Sequence, residues 1–261
     1  MQSQFENEMI VHDEVPEERA ASIKEFVDRV RSHYISTELI RVGPNWDGGY
    51  LVPDMLDQVE YCFSPGVSRT SKFEAQLARD YGIKSFLADA SVDGPGEENP
   101  DFDFEKRFLG SRTDGIYMTL SDWMARKLPA SGEAILQMDI EGAEYEVLTY
   151  EPAETLSRFA VILVEFHTWR QFRNGFFDRV ISAIFAKLFE NFKIAHIHPN
   201  NVGKLIQLGD VVLPQMPEFT FLRNDFCERL SAGGKLSFPH PLDRPNVSHL
   251  EDVTLPENWF G

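Results

Sequence analysis

The sequence predicts an α/β protein organised on one mostly parallel sheet, and three observations carry that prediction. Apolar runs of strand length alternate with stretches of helical periodicity, as Tyr61-Cys62-Phe63 does with Phe73, Leu77 and Ala78, and Ala134 to Met138 with Ala143, Val147 and Leu148. The run from Ala160 to Val164 is apolar almost without interruption, which a strand buried on both faces requires. Acids and a histidine stand where these runs stop, at Asp89, Asp139, Glu165 and His167. In an open parallel sheet the carboxyl ends of the strands form the rim where ligands bind, so this pattern gathers chemistry on one edge.

Residues 1–16 are acidic and lack periodicity, and are expected to form a disordered arm. Ile23, Phe26, Val27 and Val30 then recur at helical spacing after Pro16 and two acids, predicting an N-terminal helix from Glu17 to about Ser36. Two short apolar runs between Leu39 and Pro53 enclose Asp47-Gly48-Gly49, which suits a tight hairpin or a backbone that a ligand approaches closely, with Trp46 and Tyr50 flanking it.

The first strand of the sheet, Tyr61-Cys62-Phe63, leads through Ser64-Pro65-Gly66-Val67-Ser68 into a helix that stops at Gly82. A strand, a loop of small residues and a helix N-terminus with free N–H groups make a nucleotide-type site. The next strand, Ile83 to Asp89, ends in an acid about 20 residues after the glycine, where doubly wound folds place the acceptor for ribose hydroxyls. Residues from Ser91 to Phe108 have loop chemistry, Gly115 to Leu120 read as the third strand, and Ser121-Asp122 cap a helix over Trp123 to Leu128. The fourth strand ends at Asp139 and turns into a helix, with Glu141 beside it and Glu144 suited to a helix N-terminus. The fifth, Ala160 to His167, sets Glu165 and His167 on one side at period two. A helix from Phe176 to Phe189 precedes the sixth strand, Lys193 to His198. His196 and His198 are expected to be solvated or satisfied in the core, a metal being the lesser reading. Glu218 to Arg223 is the last strand, with enough intervening chain for antiparallel pairing with the sixth. Prolines dominate from Phe238 onward, so the tail should run extended over the surface outside the sheet. The expected divisions are an arm and helix (1–36), one α/β domain (37–230) and the Pro-rich tail (231–261).

A formal net charge of -17 argues against nucleic acid and for a neutral or cationic partner. No basic-then-apolar leader and no apolar run near the ~20 residues of a membrane span are visible, so a cytoplasmic protein without a membrane partner is expected. Cys62 and Cys227 fall outside any CxxC pattern and suit small buried residues in a reduced compartment.

Asp139-Ile140-Glu141-Gly142-Ala143-Glu144, with Thr119-Leu120-Ser121-Asp122-Trp123, Val164-Glu165-Phe166-His167 and Phe219-Thr220-Phe221-Leu222-Arg223, resembles the FkbM-type S-adenosylmethionine-dependent methyltransferases over roughly Arg41 to Arg223. The resemblance implies a Rossmann-like class I methyltransferase sheet of seven strands, the last antiparallel, and O-methyl transfer to a hydroxyl of a small molecule or glycan. It also implies that Ser64, Pro65 and Gly66 hold the methionine end of S-adenosylmethionine, that Asp89 and Ala90 hold its ribose, and that Asp139 stands near the methyl group. Asp47, Gly48 and Gly49 are further candidate contacts. His167 is the first candidate for the general base and Glu141 the second. Asp139 orients either one or joins it on an optional divalent metal. The chain departs from the family pattern at Ser64 and Ser68, where an acid and a second glycine are usual, leaving Asp47 or Asp139 to supply the carboxylate. The alternative is a non-catalytic binding protein that keeps the fold. A nicotinamide dehydrogenase is a poorer fit because the loop lacks G-x-G-x-x-G. Acceptor identity and oligomeric state, including a homo-oligomer, stay open.

Overall fold

In a computed structural model, residues 10–230 and 236–260 are described. The elements run β1 (Ile10–Asp13), α1 (Glu17–Arg31), β2 (Leu39–Val42), β3 (Tyr50–Pro53), β4 (Tyr61–Pro65), α2 (Lys72–Tyr81), β5 (Lys84–Ala88), β6 (Phe102–Glu105), β7 (Phe108–Leu109) and β8 (Tyr117–Met118). They continue with α3 (Leu120–Lys127), β9 (Ala134–Met138), α4 (Glu144–Tyr150), α5 (Ala153–Leu156), β10 (Phe159–Glu165), α6 (Gly175–Phe189), β11 (Phe192–Pro199), β12 (Leu205–Leu208), β13 (Val211–Pro214), β14 (Pro217–Arg223) and α7 (Asn224–Arg229). The ends follow local chemistry. Gly82 closes α2 in the left-handed conformation at φ 68°, Thr119 caps α3 by accepting from the Asp122 N–H, and Asn174 caps α6 through Phe176 N–H.

Seven strands form one sheet in the order β11-β14-β10-β9-β4-β5-β6. Every pairing is parallel except those of β14, which is antiparallel to both β10 and β11. Period-two alternation divides the strand residues between two buried clusters. Phe63, Leu136, Met138, Ile162 and Val164 pack with α1, α3, α4 and α6, whereas Cys62, Ile135, Val161 and Leu163 pack with α2 and the β2–β3 hairpin. The sheet is therefore covered on both faces, and its strand ends are the exposed edges that remain for a ligand. Cys62 is buried, Cys227 is half-buried, and both are free thiols. No helix among the described residues is long and apolar enough to cross a membrane.

Four expectations are corrected. The third strand of the sheet is Phe102–Glu105, inside the segment expected to be a loop, because its alternating Phe102-Asp103-Phe104-Glu105 is polar enough to read as loop chemistry. Tyr117–Met118 pairs with Phe108–Leu109 in a separate two-stranded ribbon outside the main sheet. The arm is ordered where it is described: Ile10–Asp13 runs parallel to β12, itself one arm of a hairpin with β13 in the stretch before the last strand. Residues 1–9 lie outside the described residues.

The tail stays outside the sheet as expected, yet it is part of the core and does not merely cross the surface. Val253, Leu255 and Trp259 are buried, the Trp259 ring lies 5.7 Å from that of Trp169, and its Nε1 donates to the Val212 carbonyl at 2.9 Å. Trp259→Ala should therefore cost about 3–5 kcal/mol of unfolding free energy in a urea titration. A loss under about 1 kcal/mol would show that the tail does not fold cooperatively with the sheet.

Candidate functional site

A cavity of ≈ 610 Å³ opens over the carboxyl ends of β4, β5 and β9, where the loops after those strands diverge. Gly66 makes the first of these turns at φ 85°, and a Cβ there would run into the Asp139 carbonyl, so glycine lets the loops after β4 and β9 touch. Asp89 binds the loops on its own side together. Its Oδ2 accepts from Ser68 N–H at 2.9 Å, and its Oδ1 accepts from the N–H and Oγ of Ser91 at 2.7 and 2.6 Å. Ser68 and Glu141, both on the cavity wall, hold φ of 48° and 56°, sparsely populated values for non-glycine residues that cluster at functional sites.

The wall beneath Ser68 is polar and buried. Glu74, 3 % exposed, takes a hydrogen bond from the Ser64 hydroxyl, which also contacts Gln137 Oε1 at 2.7 Å, and Gln137 Nε2 donates to Tyr50 Oη at 3.1 Å. Burial pushes the Glu74 carboxyl up to about 7, partly offset by the Ser64 bond. Opposite stand Phe108, Leu109 and Tyr117 from the small ribbon, an aromatic and apolar wall.

Behind Asp139 lies His167. Its Nδ1 is 3.0 Å from Glu144 Oε1, which also accepts from the N–H groups of Ile140 and Gly142 at 3.1 and 3.2 Å. Its Nε2 faces Asp139, Glu141 and Glu165 at 3.8, 3.5 and 3.5 Å. Burial raises the Asp139 carboxyl to about 7, with His167 pulling the other way and Asp47, Glu141 and Glu144 adding to the rise. The imidazole is held above its ordinary value: burial opposes its charge, but the Glu144 bond and the charges of Glu144, Asp139 and Glu141 prevail. Asp139, Glu144 and His167 each offer one ligand atom within 4.8 Å of the others, a set that can hold a metal.

The structure brings Asp47, Gly48, Pro65, Gly66, Asp89, Asp139 and Glu141 onto the cavity wall. It sets four candidates elsewhere. His167 is 7 % exposed and sits behind the wall, and Ala90 lies beside it without lining it. Gly49 serves the β2–β3 turn, packed against Pro44, and Ser64 is fully buried with its hydroxyl on Glu74. Asp47-Gly48-Gly49 thus belongs to a hairpin and to the cavity at once. Glu144, read as a helix-terminus charge, is fully buried against His167. His196 pairs with Asp243 at 2.8 Å, and His198 Nδ1 with Glu218 at 3.1 Å while its buried Nε2 has no hydrogen-bond partner and faces Asp252 at 3.5 Å. Sequence reasoning missed Glu74, Gln137 and the Phe108–Tyr117 wall. Glu74 alone left a signal, an acid on the buried side of a helix beside Phe73 and Leu77.

The architecture is that of an α/β protein with an open, mostly parallel sheet, helices on both faces and an acid-rimmed cavity at its strand ends, the edge at which such sheets bind ligands. Residues 105–192 match the family model of the methyltransferase FkbM domain, which bears out the family resemblance over that stretch. The matched stretch holds Asp139, Glu141, Glu144, Glu165 and His167, while Asp47, Glu74 and Asp89 lie outside it. No curated protein matches the chain.

The raised carboxyls give a signed pH dependence. Burial pushes the Asp139 carboxyl up to about 7 in the folded chain from an ordinary value of 3.8, and the Glu74 carboxyl up to about 7 from 4.5. Between those limits the folded state binds more protons at these two carboxyls than the unfolded, so their contribution to stability falls as pH rises from about 4 to 7. Asp139→Asn and Glu74→Gln should each flatten that decline in urea titrations, and the double variant should flatten it further. An unchanged slope in all three would show that neither carboxyl is protonated in the fold.

Proposed function

We propose that the chain is an S-adenosylmethionine-dependent methyltransferase with a Rossmann-like class I fold, transferring a methyl group to a hydroxyl oxygen of a small molecule or a sugar. The observation that carries this reading is that the stretch matching the family supplies both the Phe108–Leu109–Tyr117 side and the Asp139–Glu141 side of a cavity whose Glu74 and Asp89 sides also suit the cofactor. Asp89 has spent its carboxylate on three donors, yet carboxylate oxygens have capacity for more and can accept from ribose hydroxyls. Phe108, Leu109 and Tyr117 offer an aromatic and apolar face on which a purine can pack. Glu74 offers a buried carboxylate for an ammonium group. Its place supports catalysis over the non-catalytic reading, because the acid missing at Ser64 is delivered from α2 and held by that same serine.

The cofactor, when bound, supplies an electrophilic methyl group on a positively charged sulfur. The protein's part is to align an acceptor oxygen and free it of its proton, where alignment can supply about 7–11 kcal/mol and a positioned base about 10²–10⁴-fold. Asp139 faces the cavity with a quarter of its side chain exposed, and a carboxyl near 7 is matched to accepting a proton at neutral pH. His167, the base candidate from sequence, is recast as a positioning residue. Its imidazole, raised above the ordinary value against the pull of burial by the Glu144 bond, faces the Asp139 carboxyl from behind. Glu141, 88 % exposed at the rim, is the second proton acceptor. A divalent metal at Asp139, Glu144 and His167 remains an optional addition, and activity surviving exhaustive chelation would remove it.

Calorimetry with S-adenosylmethionine and its demethylated product tests the reading. Micromolar binding is expected, weakened at least about tenfold by Asp89→Ala and by Glu74→Gln in variants whose melting shows them folded. Absence of binding to either ligand would favour the non-catalytic binding protein. With an acceptor in hand, Asp139→Asn should lower kcat by about 10²–10⁴-fold. A drop under about threefold would move the base to Glu141.

A further inference from the structure

Within the S-adenosylmethionine reading, on which this assignment rests, we propose that Lys72 is the cation that recognises the carboxylate of the cofactor's amino-acid end. The cavity then reads that end as a zwitterion, with Glu74 on the ammonium and Lys72 on the carboxylate.

The charges on the cavity wall are lopsided. Asp47, Glu74, Asp89, Asp139 and Glu141 are acids, and Lys72 is the one basic side chain that lines the cavity among the described residues. S-adenosylmethionine brings a sulfonium and an ammonium, which such a wall attracts, and one carboxylate, which it repels. A ligand of that composition needs a single cation in the wall, and Lys72 supplies it.

Lys72 is also placed against local preference and left uncommitted. It is the first residue of α2, where the partial positive charge of the helix end disfavours a cation. An acid beside it would offset that cost, yet its ammonium has no hydrogen bond and no ion pair among the described residues. Lys106 and Lys127, by contrast, are paired with Asp93 and Asp103. The Lys72 Nζ rests instead over the Trp46 ring, 4.7 Å from its centroid. That ring is 48 % exposed, and its residue is fixed through its carbonyl, which accepts from Gly49 N–H and Arg41 Nη2, each at 3.2 Å. A cation over an aromatic face still lacks an acceptor oxygen, so an arriving carboxylate meets donors that are already positioned. A residue that breaks a local rule without structural gain marks a functional position.

Its place relative to Glu74 fits the two ends of a zwitterion. Lys72, Phe73 and Glu74 all line the cavity although consecutive helical residues point about 100° apart, so α2 meets the cavity with its end and not its side. Glu74 is buried in the wall, and Lys72 is exposed at its rim on a long flexible stem. The ammonium and carboxylate of an amino acid share one carbon, so the groups that bind them must be neighbours, as two residues of one helical turn are. The rival assignment gives Lys72 to an anionic group on the acceptor.

Calorimetry on the full chain with S-adenosylmethionine and with its decarboxylated form, which keeps both positive groups, tests the assignment. Lys72→Met should weaken S-adenosylmethionine about tenfold and leave the decarboxylated ligand bound no more weakly than before, since removing a cation relieves repulsion. Lys72→Arg should keep most of the affinity for S-adenosylmethionine. Lys72 is exposed, so both variants should melt as the unsubstituted protein does. Affinity lost equally for the two ligands would overturn the assignment in favour of a general disturbance of the cavity. Unchanged S-adenosylmethionine binding in Lys72→Met would overturn it in favour of the acceptor. Failure of the unsubstituted protein to bind either ligand would instead defeat the S-adenosylmethionine reading itself.

Discussion

Carboxylates crowd one edge of a sheet that is otherwise covered on both faces, and that crowding constrains everything built around it. Glu144, Glu165 and Glu218 are all at or below 6 % exposure within reach of two histidines, and Asp139 stands beside them. Groups of this kind are tolerated only with a proton, a hydrogen-bond donor or a cation shared among them. The solutions differ along the rim. Around Glu144 the charge is met by two backbone N–H groups and the His167 ring, and around Glu218 by His198 and the Asn246 amide.

The rim also explains why the tail is folded in. Asp243 reaches His196, Asn246 reaches Asp47 and Glu218, and Trp259 fills a space against Trp169. The same segment that completes the core therefore completes the charged edge, where Asn246 bonds Asp47, a cavity-wall residue 199 positions earlier in the chain.

Much of this was legible in the sequence because it rests on local patterns. The strands from Tyr61, Ala134 and Ala160 and their helices follow from apolar runs that switch period, and Asp89 and Asp139 stand at the strand ends where those runs stop. What stayed hidden depends on contacts between distant segments. Phe102–Glu105 joins the sheet through pairing with β5 in spite of its half-polar composition, and the arm is ordered only because β12 lies beside it. His167 could be placed at a strand end, but not behind the wall, since α4 and its Glu144 decide that. Ser64 looked like a lost carboxylate until Glu74 came to it from the following helix.

The proposed account stands on the cavity between Glu74, Asp89 and Asp139 taking up an adenosyl ligand whole. Ultraviolet photolabelling with methyl-labelled S-adenosylmethionine, followed by peptide mapping, tests this most directly. The label should fall on peptides containing residues 64–74, 89–91 and 108–117 and disappear when the demethylated product competes. Label scattered over peptides away from the cavity, or indifferent to the competitor, would contradict it.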